Sequence, residues 1–373
     1  MESPEILIVG AGVIGCSLAR ELARLSKQVT VVDCGRAGAA ASSAAAGLLL
    51  PTLSGAVDGP LAELGFQSAA AYESWVGELR QEGAGDVGFC RQGLIEVWTD
   101  PEEAATQRRH LKSVTRPGRR VELLSREELR RLEPAVTGPV AGAGFFVDDA
   151  QVHAPALARQ VARVAERAGV IIREGEAVHR LVREGDRISA VMTAAGCYHP
   201  GLVVLTAGAW SGRLLEPLGV CLPTRPVKGQ MLLADCRVSP VRRPLSAGLA
   251  VFVPRADGRL ALGVTVEEVG FDDRVTLEGV RSILEQTCRL VPSVGGLPLV
   301  RAWAGLRPAT ADGLPYMGPV EPVRNLWIST GHFRKGILLA PVCARLVARS
   351  IAQGQLVDEL LPFAPSRATT AAH

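Results

Sequence analysis

The 373-residue sequence has few aromatic residues and no strong excess of either charge. Phenylalanine, tryptophan and tyrosine make up 4% of the chain, and 41 basic against 38 acidic residues leave a formal net charge of +3. Because these charges are spread along the chain, they do not favour a nucleic acid as partner. No uninterrupted apolar run reaches the roughly 18–20 residues of a membrane span, which predicts no membrane partner. The first strand is expected by Ile6, which leaves no room for a signal peptide, so we expect a cytoplasmic protein.

The sequence also lacks the spacings that are typical of metal and disulfide sites. None of its eight cysteines forms a C-x-x-C pair, and five of its six histidines have no partner at ligand spacing. We therefore expect free, buried thiols and no metal site.

The most informative stretch that is present is an apolar run, Ile6–Val9, that leads directly into a G-x-G-x-x-G motif. In this motif Gly10 permits a tight strand-to-helix turn, Gly12 lets the backbone approach a pyrophosphate, and Gly15 lets the following helix pack close to the sheet. The helical pattern Cys16–Leu25 follows at once, so that free N–H groups and the positive helix end can receive phosphate. Taken alone, such a motif often marks only a tight turn.

A second apolar run, Val29–Val32, and the acidic Asp33 follow in the register that a dinucleotide site requires. Asp33 stands 23 positions after the first glycine of the motif and can accept hydrogen bonds from ribose hydroxyls. The small-residue loop Gly38–Gly47 then offers backbone N–H groups and the hydroxyls of Ser42 and Ser43 to a large flat cofactor, although this composition is also typical of a flexible linker. Strand, helix, strand and acid in this order predict a nucleotide cofactor.

Glycine-rich segments near both ends of the chain indicate which nucleotide it is. An NAD-binding half ordinarily ends within one contiguous block, whereas here further segments recur late, at Val203–Ser211, Trp303–Gly318 and Gly331–Ile337. The last of them stands at a predicted strand-to-helix junction, where a helix N-terminus can stabilise negative charge on a reduced ring system. The sequence therefore predicts the longer dinucleotide, FAD.

The predicted fold class is α/β with two domains, a Rossmann-like FAD-binding domain and a substrate domain built on a mixed antiparallel sheet. The FAD-binding domain is expected to be discontinuous and to comprise residues 1–50, 141–215 and 301–364. The substrate-binding domain then comprises residues 51–140 and 216–300, and residues 365–373 form a disordered tail.

Five further blocks follow one another in an order that is typical of one enzyme family. They are S-A-A-A-G-L (Ser43–Leu48), L-T-A-G-A-W-S (Leu205–Ser211), P-V-K-G-Q (Pro226–Gln230), W-A-G-L-R-P (Trp303–Pro308) and T-G-H-F-R-K-G-I-L-L-A-P (Thr330–Pro341). On these blocks the chain resembles the D-amino-acid oxidase family, and within it the bacterial glycine oxidases of thiamin synthesis. The resemblance covers about residues 5–362. The two late blocks are specific, whereas the N-terminal fingerprint is shared with many flavoproteins.

The resemblance implies noncovalent FAD, because no cysteine follows the W-A-G-L-R-P block as it would in a covalent flavoprotein of the monomeric sarcosine oxidase type. It places Asp33 at the ADP portion of FAD, Ser42 along the pyrophosphate, Val178 near the adenine and His332 at the pyrimidine side of the flavin. The complete set of expected cofactor contacts is Gly10, Gly12, Val13, Ile14, Gly15, Asp33, Cys34, Ala41, Ser42, Ser43, Ala46, Gly47, Leu48, Val178, Ala207, Gly208, Trp210, Gly331, His332, Phe333, Arg334, Lys335, Gly336, Ile337 and Leu338.

Arg307 matches the family arginine that clamps the substrate carboxylate, so it is the expected catalytic and substrate-binding residue. A guanidinium suits that role because its fork matches a carboxylate and stays charged. The alternative for Arg307 is a salt bridge between the two domains. Arg334 is either a second anion contact at the pocket mouth or a partner in a surface ion pair.

The sequence departs from the glycine oxidase pattern at three expected substrate contacts. Val251 stands where an active-site tyrosine is expected, and Val266 and Leu48 stand where methionines are expected. The pocket has therefore lost a hydroxyl and become more aliphatic, which leaves a larger or N-alkylated amino acid open as an alternative to glycine.

The resemblance implies oxidation of a small amino acid to the imine, hydrolysis to a 2-oxo acid and ammonia, and reduction of oxygen to hydrogen peroxide. Two alternatives stay open. One is a relative that acts on sarcosine, a D-amino acid or a cyclic imino acid, with either oxygen or a quinone or carrier as the electron acceptor. The other is a flavin-binding subunit of a larger dehydrogenase. The sequence leaves the oligomeric state open, with a homo-oligomer as one alternative.

Overall fold

The computed structural model describes residues 2–51, 58–113 and 120–370. The chain opens with strand β1 (Ile6–Val9), helix α1 (Val13–Arg24) and strand β2 (Val29–Asp33). The two strands pair in parallel, and β1 and most of β2 are buried. The β-α-β unit that the glycine motif predicts is therefore present.

These strands belong to a six-stranded sheet with the order β18-β19-β12-β1-β2-β8. Its other four strands are β8 (Ile171–Glu174), β12 (Leu202–Leu205), β18 (Tyr316–Pro319) and β19 (Leu326–Thr330). Neighbours pair in parallel except for β18 and β19. The central strands are apolar along their whole length because both faces of this sheet are covered.

A second, eight-stranded sheet has the order β17-β13-β16-β15-β14-β4-β6-β5. Its strands are β4 (Leu94–Trp98), β5 (Val121–Leu124), β6 (Gly142–Phe146), β13 (Thr224–Asp235), β14 (Leu245–Ala247), β15 (Ala250–Pro254), β16 (Arg259–Gly263) and β17 (Leu299–Thr310). Its pairs are antiparallel except for β4 and β14. The predicted two-sheet fold class, with a mixed and mainly antiparallel second sheet, is confirmed.

Two small sheets and the remaining helices complete the described chain. The small sheets combine β9 (Val178–Glu184), β10 (Arg187–Thr193) and β11 (Cys197–Tyr198), and β3 (Leu48–Leu49) with β7 (Ala150–Gln151). The helices after α1 are α2 (Ala40–Ala44), α3 (Pro60–Gln81), α4 (Pro101–Ser113), α5 (Arg126–Leu132), α6 (Ala154–Arg167), α7 (Ser211–Leu215), α8 (Leu277–Leu290), α9 (Gly336–Gln353) and α10 (Arg367–Thr370).

Helix α9 packs against α1 and α3 in the core beside the six-stranded sheet. By length and composition alone it is apolar enough to cross a membrane, but 67% of it is buried inside the protein. Fully buried Arg20 of α1 donates hydrogen bonds to Glu78 and Glu82, which anchors the end of α3 to the same core. The apolar character of α9 is therefore that of a core helix.

The arrangement differs from the predicted domain bounds at three places. β6 and β17 pair within the eight-stranded sheet although the bounds assign both to the FAD-binding part, and α3 packs on α1 and α9 although the bounds assign it to the substrate part. The reason is that pairing and packing partners lie far away in sequence, where a local pattern carries no information about them. The division into two domains otherwise stays a prediction.

The expected disordered tail and the expected buried thiols also need correction. Within residues 365–370 the chain forms α10, and Arg367 pairs with Asp312 at 2.8 Å and donates to the Leu314 carbonyl; residues 371–373 lie outside the described part. All eight cysteines are free, but only three are buried. The exposed ones are Cys34, Cys90 and Cys221.

Candidate active site

A cavity of about 590 Å³ lies between the six-stranded sheet and the face of the eight-stranded sheet that β13 and β17 form. One part of its wall consists of the carboxyl ends of β1, β2 and β12 with the turns that follow them. Another part consists of residues from β13, β15 and β17. The position agrees with the general rule that ligands of open parallel sheets bind beyond the carboxyl ends of the strands.

The turn between β1 and α1 brings backbone close to this cavity. Gly10 has φ +113°, and a β-carbon there would lie 2.5 Å from the Thr206 carbonyl oxygen, so that a larger residue would push β1 and β12 apart. A β-carbon at Gly15 would overlap the Gly10 carbonyl, which explains why α1 can begin directly over the sheet. The glycines therefore give the cavity an exposed peptide floor.

Asp33 and Ser42 hold this turn in place from its two sides. The Asp33 carboxylate accepts hydrogen bonds from the backbone N–H groups of Ala11 and Gly35, each at 2.7 Å. The Ser42 hydroxyl accepts one from the Val13 N–H at 2.9 Å, at the start of α1. Both residues line the cavity, and each carboxylate oxygen of Asp33 has a further lone pair for a ribose hydroxyl.

Helix α2 is clamped onto the substrate-side sheet by contacts that need small residues. A β-carbon at Gly305 of β17 would overlap the Ala44 side chain, and the Trp303 indole donates to the Ala44 carbonyl at 3.1 Å. Half-buried Arg255 donates to the Ala46 carbonyl at 2.8 Å, and desolvation lowers its pKa to about 10. The small-residue loop Gly38–Gly47, whose composition is also typical of a flexible linker, is therefore attached by these contacts beside the cavity.

Arg307 lies on β17 with its guanidinium at the cavity. Its Nη1 donates to the carbonyl oxygens of Lys228 and Thr265, both at 3.2 Å. Among the described residues no carboxylate forms an ion pair with it, which argues against a salt bridge between domains. Burial and the nearby guanidinium of Arg334 lower the pKa of Arg307 to about 10, so it stays charged at neutral pH.

Arg334 supplies a second positive charge to the same cavity. Its guanidinium lies 5.1 Å from the centre of the Phe333 ring, and within the described chain it also forms no ion pair with a carboxylate. The surface ion pair considered for Arg334 is therefore not formed there. Two guanidiniums without carboxylate partners make this part of the cavity a site for an anion.

His332 is a buried neutral imidazole in the cavity wall. Burial lowers its pKa to about 4, and its Nε2 has no hydrogen-bond partner among the described residues. A buried polar atom without a partner costs free energy unless a ligand satisfies it. The imidazole is therefore expected to contact the cofactor rather than to act as a base.

Ser246 and Val251 form a directly opposed pair across β14 and β15 in the cavity wall. Ser246 is 4% exposed, and its hydroxyl has no partner within the described structure. Val251, an expected substrate contact, lines the cavity, and the hydroxyl opposite it was not expected from the sequence. No motif surrounds Ser246, so only strand pairing could reveal it.

Most of the predicted site residues line this one cavity. Those that do are Gly10, Gly12, Val13, Ile14, Asp33, Cys34, Ala41, Ser42, Ala46, Gly47, Leu48, Val178, Ala207, Gly208, Trp210, Val251, Arg307, His332, Phe333, Arg334, Gly336 and Ile337. They come from distant parts of the chain, which only the parallel sheet and the β13–β17 pair bring together.

Six predicted contacts do not line the cavity. Ser43 donates to the Ala40 carbonyl, the Lys335 ammonium donates to the Pro51 carbonyl at 3.1 Å, and Leu338 is buried in the core. Gly15 packs on the glycine turn as described, and Gly331 packs against Thr310. In the structure these residues contact neighbouring segments of the chain, and their contact with the cofactor stays a prediction.

Val266, the sixth, does not line the cavity, because strand β16 is shorter than its apolar pattern suggests. The strand ends at Gly263, and the chain then crosses to β13, where Glu267 bridges to Lys228. The side chains on either side of Val266 face β13, so Val266 points outward and is 39% exposed. Val264 lines the cavity instead.

Several wall residues were missed because their signals are weak in sequence. Thr206, Glu176 and Arg36 lie near the nucleotide-side turns, and Gly229, Met231 and the hairpin tip Gly248–Leu249 lie on the substrate-side sheet. Gly229 stands in the P-V-K-G-Q block, which was noted without a role. Thr206 stands in the L-T-A-G-A-W-S block, also without an assigned role, and the others stand in no motif.

The residues present fit FAD. The peptide floor at Gly10 and Gly12 suits a pyrophosphate, since a β-carbon at either position would meet Thr206 or Ser42 at 2.5 or 3.2 Å. The small side chains of α2 leave room for a flat ring, and the unpartnered Nε2 of His332 offers it a polar contact. Within the described chain, no cluster of three histidine, cysteine or acidic side chains could hold a metal ion.

Comparisons with known proteins agree with this reading. Residues 5–350 match the model of the DAO family, described as FAD dependent oxidoreductase. A glycine oxidase of Pseudomonas aeruginosa is 35% identical over 98% of this chain and 99% of its own. The crystal structure of glycine oxidase from Geobacillus kaustophilus superposes with a TM-score of 0.93 at 33% identity and covers 98% of this chain and 99% of its own.

A third relative differs in its named substrate. Iminodiacetate oxidase from Chelativorans sp. BNC1 has a TM-score of 0.87 at 27% identity and covers 96% of this chain and 98% of its own. The family match spans most of the chain, and the two glycine oxidases align along nearly all of it. This chain therefore belongs to the DAO family of FAD-dependent oxidoreductases and is an FAD-dependent amino-acid oxidase similar to glycine oxidases.

Proposed function

We propose that this protein oxidises a small amino acid, glycine or a close relative, to its imine and passes the electrons to oxygen. The imine then hydrolyses to a 2-oxo acid and ammonia, and oxygen is reduced to hydrogen peroxide. The observation that carries the proposal is the half-buried guanidinium of Arg307, which faces the cavity with two carbonyl partners and no carboxylate among the described residues. A substrate carboxylate would supply the missing counter-charge.

Arg307 would bind and orient the substrate, while the apolar wall around it would exclude water. Its Nη1 is committed to backbone carbonyls, so the remaining N–H groups of the guanidinium are available to a carboxylate. FAD, when bound, supplies the acceptor for the hydride equivalent that leaves the substrate α-carbon. The substrate amine loses one proton in the same oxidation, and an amine that binds neutral needs no side-chain base. His332, the imidazole in this wall, is neutral and buried.

The walls near Arg307 bear on the size of the substrate. Val251, Leu48 and Met231 are aliphatic, and the hairpin tip at Gly248 adds no side chain. Such a pocket has room for an N-alkyl group or a small α-substituent. The similarity to an iminodiacetate oxidase makes secondary amines, sarcosine among them, the second candidate class.

An anaerobic substrate panel tests the proposal. Glycine, sarcosine, iminodiacetate, D-alanine and D-proline are each added to the yellow holoprotein, and loss of the flavin absorbance is followed in time. We expect at least one of them to bleach the flavin, and we expect no bleaching of Arg307→Ala by the same compound although dithionite bleaches both proteins. If no amino acid of the panel bleaches the wild type, the proposed reaction is wrong.

Readmission of air then tests the acceptor. Peroxide formed stoichiometrically by the isolated chain supports oxygen, whereas reoxidation only by a quinone or dye supports the alternative of a dehydrogenase. A chain that neither bleaches nor forms peroxide would fit a flavin-binding subunit of a larger enzyme. Acid precipitation of the same sample should release FAD into the supernatant, as expected of noncovalent binding. The cytoplasmic location of the protein stays a prediction, and its oligomeric state stays open, with a homo-oligomer as one alternative.

A further inference from the structure

The two carbonyl groups that hold the Arg307 guanidinium come from separate segments of the chain. Lys228 lies within β13, and Thr265 lies in the irregular stretch that follows β16. Each carbonyl accepts a hydrogen bond from Nη1 of Arg307 at 3.2 Å. The orientation of the guanidinium therefore depends on how these two segments are joined.

The carboxylate of Glu267 joins them. It pairs with the Lys228 ammonium at 2.9 Å and accepts hydrogen bonds from the Gln230 amide at 2.7 Å and from the Thr265 hydroxyl. The backbones of Glu267 and Lys228 also exchange two N–H···O bonds of 2.9 and 3.0 Å. Both residues that present a carbonyl to Arg307 are thus bonded through their side chains to the same carboxylate.

Burial makes this network costly to break. Lys228 is 1% exposed and Gln230 is fully buried, so that each would lose a partner without gaining water if the carboxylate were removed. Partial burial opposes the ionised form of Glu267, but the hydrogen bonds from Thr265, Lys228 and Gln230 lower its pKa below the ordinary value. Burial and Arg334 lower the pKa of Arg307, and the negative charge of Glu267 opposes this lowering.

We propose that Glu267 is a positioning residue for substrate binding, which acts by fixing the two carbonyl groups that aim the Arg307 guanidinium into the cavity. The proposal rests on the proposed function, since it needs Arg307 to bind a substrate carboxylate. Glu267 itself does not line the cavity. Its effect should therefore appear in carboxylate binding and not in the chemical step.

The test compares Glu267→Gln with Glu268→Gln in the FAD-loaded protein. Glu268 is the matched control, because it is the next residue and its carboxylate pairs with Arg225 at the surface. A shift of the guanidinium by about 1 Å should raise KM for the amino acid roughly ten- to hundredfold, while kcat at saturating substrate stays within roughly threefold. Glu268→Gln should leave both constants unchanged.

A double substitution separates positioning from a general loss of structure. On an Arg307→Lys background the Nη1 contacts no longer exist, so Glu267→Gln should raise KM there by far less than it does in the wild type. The proposal would be overturned if Glu267→Gln raised KM by the same factor in the wild type and in Arg307→Lys. It would also be overturned if Glu267→Gln and Glu268→Gln had the same KM. If Glu267→Gln does not fold, Thr265→Val keeps the Thr265 carbonyl and removes one link to Glu267. It should raise KM several-fold with kcat retained, and an unchanged KM in this variant would also overturn the proposal.

The wild-type control keeps this proposal distinct from the proposed function. A wild type that oxidises no amino acid contradicts the proposed function itself. A wild type that does so, with Glu267→Gln indistinguishable from Glu268→Gln, contradicts only the positioning role.

Discussion

Gly229 lies directly against the guanidinium of Arg307. In the β13–β17 pair Gly229 is opposite Gly305, two positions from Arg307, so all three project to the same side of the sheet. A β-carbon at Gly229 would overlap both Nη atoms and the central carbon of the guanidinium. The Arg307 guanidinium can therefore occupy its position only because Gly229 has no side chain.

Gly229→Ala should therefore impair substrate binding without removing any polar group. The added methyl group must displace the Arg307 guanidinium, and a shift of about 1 Å in a positioning group can cost on the order of a hundredfold in rate. We expect kcat/KM for the amino acid to fall by at least tenfold on the same basis. Gly296→Ala is the control, since a β-carbon there meets nothing within 4 Å. Steady-state kinetics with equal kcat/KM for both variants would contradict the assigned geometry.

Arg307→Ala should abolish efficient turnover and leave FAD bound. Loss of a charge-assisted contact to a carboxylate in a desolvated pocket should cost roughly 2–5 kcal/mol. Arg307→Lys should recover only part of this, because a point charge cannot reproduce the guanidinium fork. The measurement is kcat/KM together with the flavin content, with exposed Arg225→Ala as control. Near-normal kcat/KM in Arg307→Ala would assign Arg307 a structural role.

The Ser246–Val251 pair should determine how substrates rank by kcat/KM. A tyrosine at Val251 would restore a hydroxyl and fill space, so Val251→Tyr should raise kcat/KM for glycine by up to roughly tenfold, the value of one neutral hydrogen bond. It should lower kcat/KM for sarcosine and D-proline by filling their space. Ser246→Ala removes the hydroxyl already present and should lower kcat/KM for glycine by a similar factor. Parallel kinetics with the three substrates check this, and an unchanged order in both variants would exclude the pair from the pocket.

His332 should make folding stability sensitive to acid. Burial lowers the pKa of its imidazole from 6.5 to about 4, so the unfolded chain binds this proton first as the pH falls. The contribution of His332 to the free energy of unfolding is fully present above about pH 6.5 and is lost as the pH falls towards 4. The free energy of unfolding should decrease by about 3 kcal/mol over this range. Denaturant unfolding of the apoprotein at pH 7.5, 5 and 4 measures it. His332→Gln should lose this part of the pH dependence and exposed His199→Gln should keep it; the opposite result would contradict the assignment.

The nucleotide half of this protein follows from local sequence. The apolar run before Gly10, the glycine spacing and Asp33 lie within about thirty residues, so their pattern is visible in the sequence even though the close approach at Gly10 is to distant Thr206. The resemblance of the late blocks around Arg307 and His332 likewise predicted residues that line the cavity. FAD and the reaction class could therefore be predicted from the sequence.

The substrate half depended on the tertiary structure. Ser246 stands in no motif, and the P-V-K-G-Q block does not show what Gly229 faces, because the roles of both residues come from strand partners: β17 for Gly229 and β15 for Ser246. Val266 does not line the cavity for a similar reason, since β16 ends early where the chain crosses to β13. Local sequence determines turns, helices and apolar runs through nearest-neighbour sterics. The register between strands far apart in the chain, which decides what faces the Arg307 guanidinium, is set only when the two sheets pack.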